Sequence, residues 1–225
     1  MKGFSFLQIS FETLIMGLMM SACSHDSYES GDGRDSYLRA DFVEAHTASA
    51  HEISSAVTDE GDSLVLSPRL QVEWAKQANA TYRGLLYYNK VVGKPTEAIR
   101  LVPVPVLSWH PITKFREVHT DPVVFESAWL SSNHRYVNIG FSVKTGAKTE
   151  GMKGHTFGLI ATDSLVTDGK IRRLDLTLYH DQGGMPQYYS SRGFISVPLS
   201  RLPKGCIINL RVNSYKGRIY KSFNV

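Results

Sequence analysis

Four stretches between residues 137 and 212 alternate apolar and polar side chains with period two. Val137, Ile139, Phe141 and Val143 interleave with Asn138, Gly140 and Ser142, and Leu174, Leu176 and Leu178 with Asp175, Thr177 and Tyr179. Ile195, Val197 and Leu199 repeat the pattern, as do Ile208, Leu210 and Val212. Successive side chains of a strand point to opposite faces, so this pattern predicts strands with one face in a core and the other wet. Ser214-Tyr215-Lys216-Gly217 supplies a tight turn before a last strand, Arg218 to Phe223. With strand candidates throughout and no convincing helix, residues 119–225 read as an antiparallel β-sandwich.

The preceding region also reads as short strands. Tyr37 to Val43 opens it and Ile53 to Val57 follows. Asp59-Glu60-Gly61-Asp62 then turns the chain into Leu64-Val65-Leu66 as a hairpin. Ser67-Pro68 offers an N-cap and a first-turn proline, so Leu70, Val72, Trp74, Ala75 and Ala78 are expected on one short helix. Tyr82 to Val92 and Ala98 to Leu107 supply the fourth and fifth strands, and Pro103 and Pro105 put the last at a sheet edge. Five strands with a helix after the third match the order of an OB-like barrel, here residues 36–118. The break from Trp109-His110-Pro111-Ile112 to Asp121-Pro122 places the domain boundary near residue 118.

At the other end, Thr13 to Ala22 is an unbroken run of apolar or small residues before Cys23. The run is about half the roughly 20 residues a bilayer-spanning helix needs, which fits a signal-peptide core. Met20-Ser21-Ala22-Cys23 resembles a bacterial lipobox. That resemblance implies cleavage after residue 22 and acylation of Cys23, which would moor the protein to a membrane. Ser24 to Asp35, rich in Ser, Gly and Asp, cannot bury enough surface to offset its ordering entropy. Residues 23–35 are therefore expected to be a tether spanning about 20 Å. The expected location is the cell envelope, most naturally the outer membrane.

Loss of residues 1–22 would remove Lys2 and Glu12 together, leaving the formal net charge of +4 unchanged. The cations are scattered, with no run longer than Arg172-Arg173, so a solvated surface and no nucleic-acid partner is the expected reading. With Cys23 acylated, Cys206 has no disulfide partner, and its alternation with Ile208, Leu210 and Val212 marks it as a small buried hydrophobe.

Known chemistry is sparse. There is no G-x-S-x-G, and His51-Glu52-Ile53-Ser54-Ser55 has serine where a zinc helix needs its second histidine. His155 and His180 are brought together if their strands are neighbours; the alternatives are a metal pair or a core hydrogen bond. A zinc site needs at least three matched ligands, so neither metal nor cofactor is expected. Tyr188 and Tyr189, after Gly183-Gly184-Met185-Pro186-Gln187, suit stacking on a sugar or peptide, unless the loop is only a connection. Tyr87 and Tyr88 are candidates for the ligand face of the barrel, with strand packing as the alternative.

The ordered series Asp121-Pro122-Val123, Trp129, Tyr136-Val137-Asn138-Ile139-Gly140-Phe141, His155-Thr156-Phe157-Gly158-Leu159 and Leu174-Asp175-Leu176 leading to His180 resembles the NigD-like family of Bacteroidetes lipoproteins. The Asp59-Glu60-Gly61 turn before Leu64 and the lipobox fit as well. The resemblance implies an N-terminal OB domain followed by a β-sandwich; it brings no established activity with it. The expected function is a non-enzymatic, envelope-anchored binding or accessory lipoprotein meeting a glycan, a peptide or an envelope protein. A hydrolase or metal-dependent enzyme, and a structural lipoprotein self-assembling through edge strands, are the alternatives.

Overall fold

The computed structural model describes residues 38–89 and 95–225. The signal peptide (1–22), Cys23 and the tether to residue 35 lie outside the described residues. Among the described residues no helix is long and apolar enough to cross a membrane.

Five strands form the first sheet: β1 (Leu38–Ser49), β2 (Glu52–Thr58), β3 (Ser63–Gln71), β4 (Thr81–Asn89) and β5 (Glu97–Pro103), in the order β3-β2-β1-β4-β5. All four pairings are antiparallel. The sheet curls until its two edges meet, where Thr96 donates to the Val65 carbonyl at 2.8 Å and Ser67 donates to the Thr96 carbonyl at 3.0 Å. The resulting parallel bridge, Leu66 to Thr96, gives the strand neighbours of an OB-like barrel. Val43, Ala45, Ile53, Leu66, Leu86 and Tyr88 fill its interior.

The expected helix after Ser67 is absent. Residues 67–71 continue β3, with Leu70 opposite Ile53 and Gln71 opposite Glu52. Beyond them the Val72 amide donates to the His51 carbonyl at 2.8 Å, and Ala75 bonds back three residues to Val72. Backbone groups taken up by a neighbouring strand are no longer available for the i−4 ladder of a helix. Trp74 packs edge-on against Tyr82, with ring centroids 5.5 Å apart, and closes that end of the barrel.

The second part is built from β6 (Trp109–Pro111), β7 (Val124–Leu130), β8 (Tyr136–Thr145), β9 (Thr156–Thr167), β10 (Lys170–Asp181), β11 (Tyr189–Pro198), β12 (Ile207–Ser214) and β13 (Gly217–Asn224). One sheet has the order β13-β12-β10-β9-β6 and the other β11-β8-β7. Most pairings are antiparallel, but β10 with β12 and β6 with β9 run parallel. Trp109–Pro111, which lies before the boundary expected near residue 118, is thus already part of the sandwich. Val137, Ile139, Phe141, Ile195 and Val197 from one sheet meet Leu159, Leu174, Leu176, Ile208 and Leu210 from the other in a continuous core. Cys206 is free and fully buried.

The second face of β8 and β11, expected to be wet, is covered. Asn138 and Ser196 have no exposed surface. The outer face of β1 and β4 lies on them: the Phe42 ring meets Trp129 at 5.4 Å and Phe194 at 5.2 Å. Gly140 permits this approach, since a Cβ there would stand 3.0 Å from Ser127 Oγ and 3.1 Å from the Phe194 ring. Three layers of sheet therefore stack, with β11-β8-β7 in the middle, all within the compact unit Tyr37–Val225. The segment after β5 straps the layers together, because Leu107 donates to the Ser196 carbonyl and Ser196 donates to that of Pro105. Pro105 and Leu107, at the end of the expected edge strand Ala98–Leu107, are thereby engaged within the chain.

Arg83 seals this joint. It projects from β4 with 6% of its surface exposed and holds Asp59 with two parallel bonds of 2.7 and 2.6 Å. The same guanidinium reaches Ser196 Oγ and Asn138 Oδ1, both at 3.2 Å, and lies 4.2 Å from the centre of the Tyr136 ring. Removing one partner of a buried ion pair strands the other, at a cost of about 3–5 kcal/mol. Arg83→Ala should lose stability on that scale in a denaturant titration; a loss under about 1 kcal/mol would mean the cluster does not hold the layers.

Candidate functional site

The loops at one end of the sandwich carry the side chains singled out from the sequence. One loop joins β8 to β9 (residues 146–155) and the other joins β10 to β11 (182–188). Their conformation is fixed by local hydrogen bonds. Asp181 Oδ1 accepts the Gly183 amide at 2.8 Å, Asp121 Oδ2 accepts the Gln182 amide at 2.7 Å, and Gln182 Nε2 donates to the Met185 carbonyl at 2.6 Å. Gly183 is required where the loops cross: its φ is +60°, and a Cβ would stand 2.3 Å from the Gly154 carbonyl oxygen. Met185 is buried beneath the crossing.

Tyr188 and Tyr189 emerge from this framework. The Tyr188 amide donates to the Thr145 carbonyl at 3.0 Å, which leaves its ring 83% exposed, and Tyr189, the first residue of β11, is 59% exposed. Gly146 lies directly under Tyr188 and Pro186; a Cβ there would come within 2.9 Å of both. Lys144 on β8 sets its ammonium 4.8 Å from the centre of the Tyr215 ring. The loop end is thus an aromatic patch on a braced support.

The other tyrosine pair does not form a surface. Tyr88 is wholly buried in the barrel, where its hydroxyl donates to Asp41 Oδ2 at 2.7 Å. Burial, then the Asp41 contact, push its phenol well above the ordinary range. Tyr87 is half-buried on the opposite face of β4. Adjacent strand residues face opposite ways, so these two never line one ligand site.

His155 and His180 do meet. His155 Nδ1 lies 3.0 Å from His180 Nε2, and Phe157 stacks on the His180 ring with centroids 4.7 Å apart. His180 Nδ1 is 2.9 Å from the Asp121 carbonyl oxygen and must donate to it, so its Nε2 is an acceptor. His155 Nδ1 is then the donor between the rings. The remaining nitrogen, His155 Nε2, is buried with no hydrogen-bond partner among the described residues. Both rings are held neutral below the usual histidine range: burial is the main cause for each, and for His155 its neighbour His180 adds to it. Among the described residues no three His, Cys, Asp or Glu side chains converge as metal ligands.

The buried cluster of Arg83, Asp59, Asn138 and Ser196 was not anticipated. Its signal in the sequence is one arginine inside an apolar strand, Tyr82-Arg83-Gly84-Leu85-Leu86. In the same joint Tyr136 donates to Glu44 Oε1 at 2.7 Å. Burial, then that contact, push its phenol up to about 12.

Comparison with known proteins matches residues 109–225 to the family model of the NigD-like C-terminal beta sandwich domain. Among solved structures, the chain is similar to a NigD-like immunity protein from Bacteroides caccae, with 21% identity over 83% of this chain and 96% of that one and a TM-score of 0.65. It is also similar to a candidate toxin-related protein from Parabacteroides distasonis (19% identity, 84% and 93% covered, TM-score 0.62). A candidate lipoprotein from Bacteroides fragilis shares 12% identity, 83% and 96% coverage and a TM-score of 0.57. At these identities the likeness is one of fold. Comparison with curated proteins gives no match.

The histidine pair gives the protein a signed pH dependence. Each ring has a folded-state pKa below its unfolded value near 6.5, so the unfolded chain binds more protons as the pH falls. The pair's contribution is complete above that value and is lost as the pH drops toward the folded pKa values. Denaturation midpoints should fall as the pH drops below about 6.5, and His155→Gln should flatten that slope; equal slopes would rule the pair out as the cause.

Proposed function

The chain belongs to the NigD-like family, and we propose that it acts as an envelope-anchored lipoprotein that binds a partner protein without catalysing a reaction. The observation that carries this reading is the tyrosine pair at the loop end. Tyr188 and Tyr189 are large, rigid and exposed, and sit on a loop already ordered before any partner arrives. Tyrosine brings contact area at low entropic cost and is enriched where partners bind most tightly. The resemblance of Met20-Ser21-Ala22-Cys23 to a lipobox supports anchorage through Cys23, most naturally in the outer membrane. The fold shared with a candidate lipoprotein and with a NigD-like immunity protein supports this reading.

Two measurements test it. A fatty-acid analogue should label the protein through Cys23 and be lost in Cys23→Ala; labelling that persists would remove the anchor. A soluble form starting at Asp35, used to capture envelope proteins, should retain a partner that Tyr188→Ala/Tyr189→Ala releases. Both rings are exposed, so this change should move stability by no more than about 0.5 kcal/mol. Equal capture by both forms would place the contact elsewhere.

A further inference from the structure

The +4 net charge is not spread along the chain. Residues 182–225 contain Arg192, Arg201, Lys204, Arg211, Lys216, Arg218 and Lys221 and not one Asp or Glu, so the whole surplus lies there. The fold gathers several of these cations on β12, β13 and the turn between them, at one edge of the five-stranded sheet. On the side of that sheet away from the core, β10, β12 and β13 present a small grid. Asp175, Asn209 and Ser222 stand abreast in one row, and Thr177, Arg211 and Tyr220 in the next. The grid floors a hollow of about 420 Å³, within the roughly 300–1,000 Å³ of small-molecule sites.

The polar groups of the grid are held in place by one another. Asn209 Nδ2 donates to Asp175 Oδ1 at 2.7 Å, and Arg211 Nε donates to Thr177 Oγ1 at 3.1 Å. Arg173 Nε lies 3.3 Å from Asp175 Oδ2 while its Nη2 donates to Asp163 Oδ2 at 2.6 Å, so one guanidinium is shared between the two carboxylates. These bonds leave capacity facing the hollow: the Asn209 carbonyl oxygen, the Ser222 hydroxyl and the two terminal nitrogens of Arg211, which no hydrogen bond engages among the described residues. Tyr220, directly across from Arg211, is 66% exposed. The hollow therefore offers a ring face, an amide, a hydroxyl and a guanidinium fork whose charge is not neutralised.

We propose that this hollow binds a carboxylated pyranose, the acidic sugar unit of a glycan. A pyranose has an apolar C–H face that covers a tyrosine ring and equatorial hydroxyls that suit paired amide and hydroxyl groups. Its carboxylate matches the fork of Arg211 for two parallel bonds. An acidic peptide would satisfy the charge but would leave the Tyr220 ring and the Asn209 amide unused. This site lies on a different face from the Tyr188–Tyr189 loop and does not rest on the function proposed for that loop.

The test is calorimetric titration of the full-length protein in detergent with four probes: trigalacturonate, its methyl ester, sialyllactose and pentaglutamate. Trigalacturonate or sialyllactose should bind saturably, and whichever does so identifies the source of the acidic sugar. Esterification, which removes the charge and keeps the ring, should weaken trigalacturonate at least about tenfold, as should Arg211→Lys, which keeps the charge and removes the fork. Tyr220→Ala, at an exposed position, should weaken binding with little change in melting temperature. The proposal is overturned if neither sugar binds, if ester and acid bind alike, if pentaglutamate binds as well as the sugars, or if Tyr220→Ala binds normally.

Discussion

The paired bonds between Arg83 and Asp59 stand at the centre of the joint between barrel and sandwich. Asp59 sits in the turn after β2 and Arg83 in the middle of β4, so the pair first ties the barrel to its own turn. The same guanidinium then continues into Asn138 and Ser196 of the sandwich. Ser196 Oγ donates to Asn138 Oδ1 at 2.7 Å, and Asn138 Nδ2 donates to Asp59 Oδ2 at 3.2 Å, so the cluster closes on itself. A buried charge is tolerable only when its donors are used. Each of these residues consequently fixes the others, and with them the distance between barrel and middle sheet. The aromatic contacts of Phe42 with Trp129 and Phe194 fill the apolar remainder of the joint.

What could be read from the sequence follows from this geometry. Period-two alternation in β8, β10, β11 and β12 identified strands and the residues facing the sandwich core, because a core selects large apolar side chains at every second place. It did not reveal the second burial of β8 and β11. Asn138, Gly140 and Ser196 have the composition of a wet face, and only their small size, which lets another sheet approach, sets them apart. The helix expected after Ser67 failed for a related reason. Its apolar spacing was compatible with a helix, but pairing of Leu70 and Gln71 with β2 took the backbone first. Tertiary pairing overrides a local preference of that size.

The candidate sites were legible to different degrees. The exposure of Tyr188 and Tyr189 is legible because a Gly-Gly-x-Pro loop puts its flanking residues on the surface. Tyr87 and Tyr88 misled because neighbours in sequence are not neighbours on a strand face. The meeting of His155 and His180 depends on the pairing of Phe157 with His180 across β9 and β10. Its tautomers depend on a carbonyl at Asp121, 59 residues away in the chain. The row of Asp175, Asn209 and Ser222 depends on the parallel pairing of β10 with β12. No periodicity in a single strand announces a parallel neighbour, so that grid was beyond reach of the sequence.

The three-layer arrangement also decides where function can reside. Around Asn138, Gly140 and Ser196 the middle sheet is closed on both faces, and the barrel interior is filled by Leu86, Tyr88 and their neighbours. A ligand face inside the barrel is excluded by that packing, since admitting even a small ring would mean displacing close-packed side chains. Contacts with other molecules therefore fall on outer surfaces, among them the loop ends and the outer face of β10, β12 and β13. These two surfaces differ in character: one is aromatic and braced by backbone bonds, the other polar and cationic on regular strands. Such a division suits a protein whose buried layers keep two unlike surfaces in fixed register, with the chemistry of each set by the few side chains that the packing leaves outside.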